Sequence, residues 1–164
     1  MAMPALSSLR AGIQAQLRSY RSLSHGWDGY DGIAPPENRI AAAERLLATL
    51  PDDLAAPGCG PGGDGEVSFY WDDEESGVYA DIDVWPDFDV EERQRPMCVL
   101  AQQRGPDGIR PPRVNAEFDE EELPGDALRV LRRIPTRITP ETIAGRARTA
   151  HARRHAQCGP TTHT

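Results

Sequence analysis

This chain has no lysine; all eighteen of its basic residues are arginine. That bias reads as GC-rich coding, of a bacterium or its phage. Cysteine is scarce: Cys59, Cys98 and Cys158 are odd in number and have no C-x-x-C spacing. They do not suit a disulfide framework and read as thiols of a reducing compartment. Aromatic residues make up 6% and apolar residues 38%, and the mean hydropathy is −0.57. There is no long apolar run. The first twenty residues carry Arg10 and Arg18 but no apolar signal core. The expectation is therefore a protein without signal peptide or membrane span, placed in the cytoplasm. Catalytic patterns are also missing. No His stands at an informative spacing from a Ser or Cys nucleophile, and nothing implies the desolvated pocket that a general acid needs. The chain is expected not to be an enzyme and to need no cofactor.

What is present is charge, unevenly placed. Between Asp64 and Glu92 there are twelve Asp and Glu and no Arg or His. From Pro135 to Thr164 there are five Arg against one Glu, a charge of +4, so the rest carries −12 of the total −8. An acidic body repels phosphates, which argues against duplex binding by that body. Concentrated like charge in one stretch calls for compensation, and a cationic partner supplies it.

Periodicity divides the chain into elements. Leu6, Leu9, Ile13, Leu17, Tyr20 and Leu23 recur at steps of three and four, predicting an amphipathic helix over 5–22. Pro35-Pro36 opens a second helix, with Ile40, Ala43, Leu47 and Leu50 on one face and Pro51 at its end. Residues 55–65, rich in Gly and Pro, read as a flexible connector. The period then changes to two. Val67, Phe69 and Trp71, and after a turn over 72–77 Val78, Ala80, Ile82 and Val84, predict a β-hairpin with one apolar and one polar face. Strands are also expected at 97–102 and, more weakly, at 113–118. Asp119 to Glu122 opens a last helix, with Leu128, Leu131 and Ile134 facing the core. Thr139-Pro140-Glu141 reads as the cap of a short helix to about His155. The fold class predicted is α+β: a helical hairpin packed on a small antiparallel sheet of three or four strands, with a closing C-terminal helix. One domain spans 1–134, and a basic, weakly structured tail spans 135–164. Trp27, Tyr30, Val67, Phe69, Trp71, Ile82, Val84, Val99 and Leu131 are the expected core.

The loop His25-Gly26-Trp27-Asp28-Gly29-Tyr30-Asp31 places aromatics beside carboxylates. Trp27 and Tyr30 are candidate ligand contacts, although two aromatics plugging a gap between hairpin and sheet is the plainer reading. This loop, the helix end Leu47 to Pro51, and the run Gly63-Asp64-Gly65-Glu66-Val67-Ser68-Phe69-Tyr70-Trp71 carry a resemblance. They resemble small uncharacterised bacterial proteins with a GWDGYGA…P loop and an LP…P…DGG…LEW strand entry. The likeness covers about residues 9–85 and implies no activity. Asp31 replaces a Gly of that pattern, and Phe69-Tyr70-Trp71 replaces Leu-Glu-Trp.

The acidic block is the candidate binding surface: Asp72, Asp73, Glu74, Glu75, Asp81, Asp83, Asp87, Asp89, Glu91 and Glu92. Asp81 and Asp83 share a strand face about 6.6 Å apart. Three uses compete with a merely solvated face balanced by Arg93, Arg95 or the tail. A basic protein partner comes first, as for an antitoxin, immunity or inhibitor protein. A carboxylate ladder imitating nucleic-acid phosphates, aimed at a DNA- or RNA-binding machine, comes second. A small metal-binding protein is third, through Asp81, Asp83, Asp87 and Asp89 for Ca²⁺, without EF-hand spacing, or through His151, His155 and Cys158 for Zn²⁺. The Arg-rich tail could touch nucleic acid weakly, but has too few aromatics to read it by stacking.

Overall fold

The computed structural model describes residues 6–84, 97–118 and 122–136. Expectations for the helix after Thr139, the tail and the loop carrying Asp87, Asp89, Glu91 and Glu92 lie outside these residues. The described chain is α+β. Helix α1 (Leu6–Ser19) continues as a 3₁₀ turn (Tyr20–Ser22), and α2 (Glu37–Thr49) follows a long loop. Strands β1 (Gly58–Pro61), β2 (Val67–Asp73), β3 (Val78–Val84), β4 (Met97–Gly105) and β5 (Gly108–Phe118) precede α3 (Gly125–Leu131).

The strands form one antiparallel sheet in the order β1-β2-β3-β4-β5. It has five strands, not three or four. The fifth is β1, inside the stretch read as a connector. Gly58-Cys59-Gly60-Pro61 has almost no side-chain signal of a strand, and it is one because β2 pairs with it. Both edge strands carry proline, Pro61 in β1 and Pro111-Pro112 in β5, where a missing N–H costs no interior ladder bond. The register between β4 and β5 shifts after Gln102, opposite that proline pair.

Register assigns each side chain to a face, because paired residues point the same way. One face presents Val67, Phe69 and Trp71, then Val78, Ala80, Ile82 and Val84, then Met97, Val99 and Ala101. The helices pack on it. Ile13, Leu17, Ile40, Leu46, Leu47, Ala127, Val130 and Leu131 join these strand residues in a single core. Each large side chain buried there contributes about 1.5–3 kcal/mol of transfer free energy. Trp71 also donates from Nε1 to the Ala55 carbonyl at 2.7 Å, fixing the chain that enters β1. Tyr20, held between Gln16 and the Cys59 thiol, ties α1 to β1, and burial pushes its phenol far above the ordinary value.

Three expectations change. Tyr30 is 85% exposed and Trp27 is only half-buried, so neither belongs to the core. The reason is local: the Asp28 carboxylate accepts from the Tyr30 and Gly32 amides, closing the loop on itself and leaving Tyr30 on its outside. Trp27 lies across the loop and donates to the Ile33 carbonyl at 3.2 Å. The second face of the hairpin is not simply polar and solvated. Ser68 and Tyr70 are buried, so β2 is covered on both faces from Val67 to Trp71. The closing helix is shorter than predicted, starting only at Gly125.

Candidate functional site

The second face of the sheet carries Asp72, Asp81 and Asp83, half of the predicted acidic residues that the structure describes. Three rows run across the strands. Gly60, Ser68, Asp83, Cys98 and Glu117 form one; Gly58, Tyr70, Asp81, Leu100 and Asn115 the next; Asp72, Tyr79, Gln102 and Arg113 the third. The alternation that places Phe69 and Ile82 in the core therefore sends Asp81 and Asp83 to the opposite side. Tyr70 lies over Gly58, where a Cβ would enter its ring; glycine is what lets the aromatic cover the edge strand.

The face is built of side chains that hold one another. Ser68 donates to the Asp83 carboxylate. The Tyr79 hydroxyl donates to Asp81 at 2.6 Å. The Cys98 thiol faces the Asn115 amide oxygen at 3.6 Å. Arg104 sits over the Tyr79 ring, 4.6 Å from its centroid, and reaches Asp72 at 3.3 Å. None of Ser68, Tyr70, Asp72, Tyr79, Asp81, Asp83, Cys98 or Glu117 is without a partner. Beneath the polar groups lie Tyr70, Leu100 and Gln102, all buried, and outside the main core. Gln102 is 5% exposed, and its Oε1 has no hydrogen-bond donor among the described residues.

The other predicted site residues are placed differently. Asp73 lies in the row of the helix-packed face, paired with Val78, and its carboxylate accepts from the Ser76 amide at 2.8 Å. It shapes the turn. Glu74 and Glu75 are exposed at the tip of the same turn. Asp87, Asp89, Glu91 and Glu92 lie outside the described residues, so the four-residue ladder reduces here to Asp81 and Asp83. Sequence reasoning missed Glu117, Tyr70, Leu100, Gln102 and the arginines of the face. For all but Arg104, which lies beyond the predicted strand end, the signal was the same two-residue period in the predicted strands 67–71, 97–102 and 113–118. The missing piece was the register that aligns them with Asp81.

A second constellation lies at the loops. Ile33 bridges to Asp64, with its amide donating to the Gly63 carbonyl at 2.8 Å, so the Trp27 loop and the Gly63-Asp64-Gly65 turn meet. These are two of the three stretches that carry the sequence resemblance. Arg39 is buried beside them, 2% exposed, with one long bond to the Asp64 carbonyl at 3.4 Å and no acceptor for Nε among the described residues. Burial lowers its pKa to about 10 despite nearby Glu66 and Asp64.

Among the described residues no group of three or more His, Cys, Asp or Glu is arranged to hold a metal ion. The proposed zinc residues His151, His155 and Cys158 lie outside them. Among the described residues no helix is long and apolar enough to cross a membrane. Comparison with protein-family models, curated proteins and solved structures returned no match.

Proposed function

We propose that this chain is a non-catalytic interaction protein that binds a basic protein partner through the second face of its sheet, in an antitoxin, immunity or inhibitor role. One observation carries the reading. Asp72, Asp81, Asp83 and Glu117 share a face with Tyr70, Tyr79 and Leu100, while the core-forming residues of all three helices join the opposite face. Carboxylates beside the half-buried Tyr79 suit a cationic segment: the charges orient it and the ring supplies contact area. Asp81 and Asp83 also support the nucleic-acid-mimic reading by their spacing. Arg104 and Arg113 on the same face interrupt the continuous row of negative charge that a phosphate mimic needs.

The test is capture from host lysate by the full chain beside Asp72→Asn/Asp81→Asn/Asp83→Asn, at low and high salt. A basic protein held by the parent, lost by the variant and weakened by salt is the expected result. A partner retained equally by both sinks the reading and redirects attention to the Trp27 loop.

A further inference from the structure

We propose that β5 is a self-association edge: two copies of this chain join strand to strand along residues 113–118, antiparallel about a two-fold axis at Asn115. The inference goes beyond the partner reading and does not depend on it.

The two edges of the sheet are finished differently. At β1 the edge is short and closed: Gln16 of α1 donates from Nε2 to the Cys59 carbonyl at 2.9 Å, and Pro61 ends the strand. At β5 the first half is blunted by Pro111-Pro112, where the register also shifts. From Arg113 to Phe118 the strand then runs without proline, glycine or register shift. Alternate backbone groups of such an edge face away from the sheet, which is where a further strand pairs. Among the described residues no backbone hydrogen bond reaches this stretch from any element but β4. Its side chains are also incompletely covered. Val114, Ala116 and Phe118 are half-buried against the core, because α3 packs chiefly on β4 rather than over the edge.

The order of side chains along the stretch selects a second copy as the occupant. Antiparallel pairing of the strand with itself, centred on Asn115, sets Arg113 opposite the second copy's Glu117 and Glu117 opposite its Arg113. On the helix-packed side Val114 and Ala116 meet in the same reciprocal way. Arg113 and Glu117 are both exposed and both lie on the acidic face. Arg113 makes no ion pair among the described residues; Glu117 has a partner within its chain, and a carboxylate accepts more than one bond. A slip of one residue would oppose Asn115 to Val114 or Ala116 and lose both charge pairs. The axis stands perpendicular to the sheet, so two five-stranded sheets become one, with both acidic faces on one side and the helices on the other. Exposed charges contribute little singly, so the new ladder and the covering of Val114, Ala116 and Phe118 supply the rest. An interface of one strand edge is small, and association is expected at roughly 0.1 mM chain.

The experiment is sedimentation velocity of the full chain at low salt, at concentrations up to roughly 0.1 mM. A monomer–dimer equilibrium is expected for the parent, and a monomer throughout overturns the proposal. In Arg113→Glu each Glu117 faces a carboxylate, and the dissociation constant is expected to rise about tenfold. Arg113→Glu/Glu117→Arg restores both pairs in inverted order, and association should return to within about threefold of the parent. A dimer indifferent to Arg113→Glu overturns the placement at β5. Weakening without recovery in the double variant overturns the pairing of Arg113 with Glu117. A cross-link reads the register. Opposed residues stand about 4.5–5.5 Å apart at Cα, a span that a disulfide bridges. The background is Cys98→Ser/Cys158→Ser, which removes the thiol beside Asn115. There Asn115→Cys is expected to form a disulfide-linked dimer under mild oxidation about tenfold faster than Ile109→Cys, an exposed position of β5 before the prolines. Equal rates overturn the axis at Asn115.

Discussion

Gly77 shows how one residue sets the hairpin from which the acidic face is built. Its φ is +71°, and a Cβ there would lie 2.6 Å from the Arg104 carbonyl oxygen, which follows the Gly77–Arg104 backbone contact of the sheet. Neither the backbone conformation nor the neighbour can yield. Gly77→Ala should therefore lose about 1–3 kcal/mol in urea unfolding. Arg39 makes the opposite case. Its buried guanidinium has one long hydrogen bond, and its carbonyl partner belongs to exposed Asp64, which water can satisfy. Arg39→Met should leave stability within about 1 kcal/mol or raise it, because burying a poorly paired charge costs more than its contacts return. A large loss in calorimetry would mean that the cation organises the two loops.

At the scale of elements, helix α2 is joined to the 3₁₀ turn after α1 by one arginine. Arg21 contacts Glu37 at 2.6 Å and Glu44 at 3.0 Å, and these bonds hold both carboxylates below their ordinary values. The sign of the pH dependence follows. A depressed carboxylate contributes stability above its unfolded pKa and loses it as pH falls through the folded pKa. The difference in stability between parent and Arg21→Gln should be constant above about pH 6, begin to shrink near the unfolded value, and vanish in stronger acid. Because the residues are exposed, salt should shrink it too, and a difference insensitive to both would assign the effect to packing. The strand elements were legible from periodicity over 67–71 and 78–84. The edge strand β1 was not, because its pairing depends on the neighbour β2 rather than on its own residues.

For the molecule as a whole, the division of the sheet into a helix-packed face and an acidic face is the property that matters. Asp72→Asn/Asp81→Asn/Asp83→Asn keeps an oxygen acceptor at each position, so the hydrogen bonds from Ser68 and Tyr79 survive. The change in unfolding free energy should stay below about 1 kcal/mol while salt-sensitive capture of a basic partner disappears. Loss of both together would mean that the carboxylates serve the fold rather than a partner.

The sequence by itself determined the class of the fold, the two main helices, the central hairpin and most of the core. Those follow from local period: residues three or four apart share a helix face, and alternate residues share a strand face. It also determined that Asp81 and Asp83 stand together, being two apart on one strand. Only the tertiary structure decided which distant residues join them. Gln102, Leu100 and Glu117 meet the acidic pair through register across β3, β4 and β5. Register depends on the turns, on the shift after Gln102 and on the packing of the opposite face. Burial of Tyr70 on the acidic face likewise needed the close approach of Gly58 from another strand. Exposure of Tyr30 needed a carboxylate that closes its loop from within. Such pairings link residues far apart in the chain, and the local spacing of side chains holds no record of them.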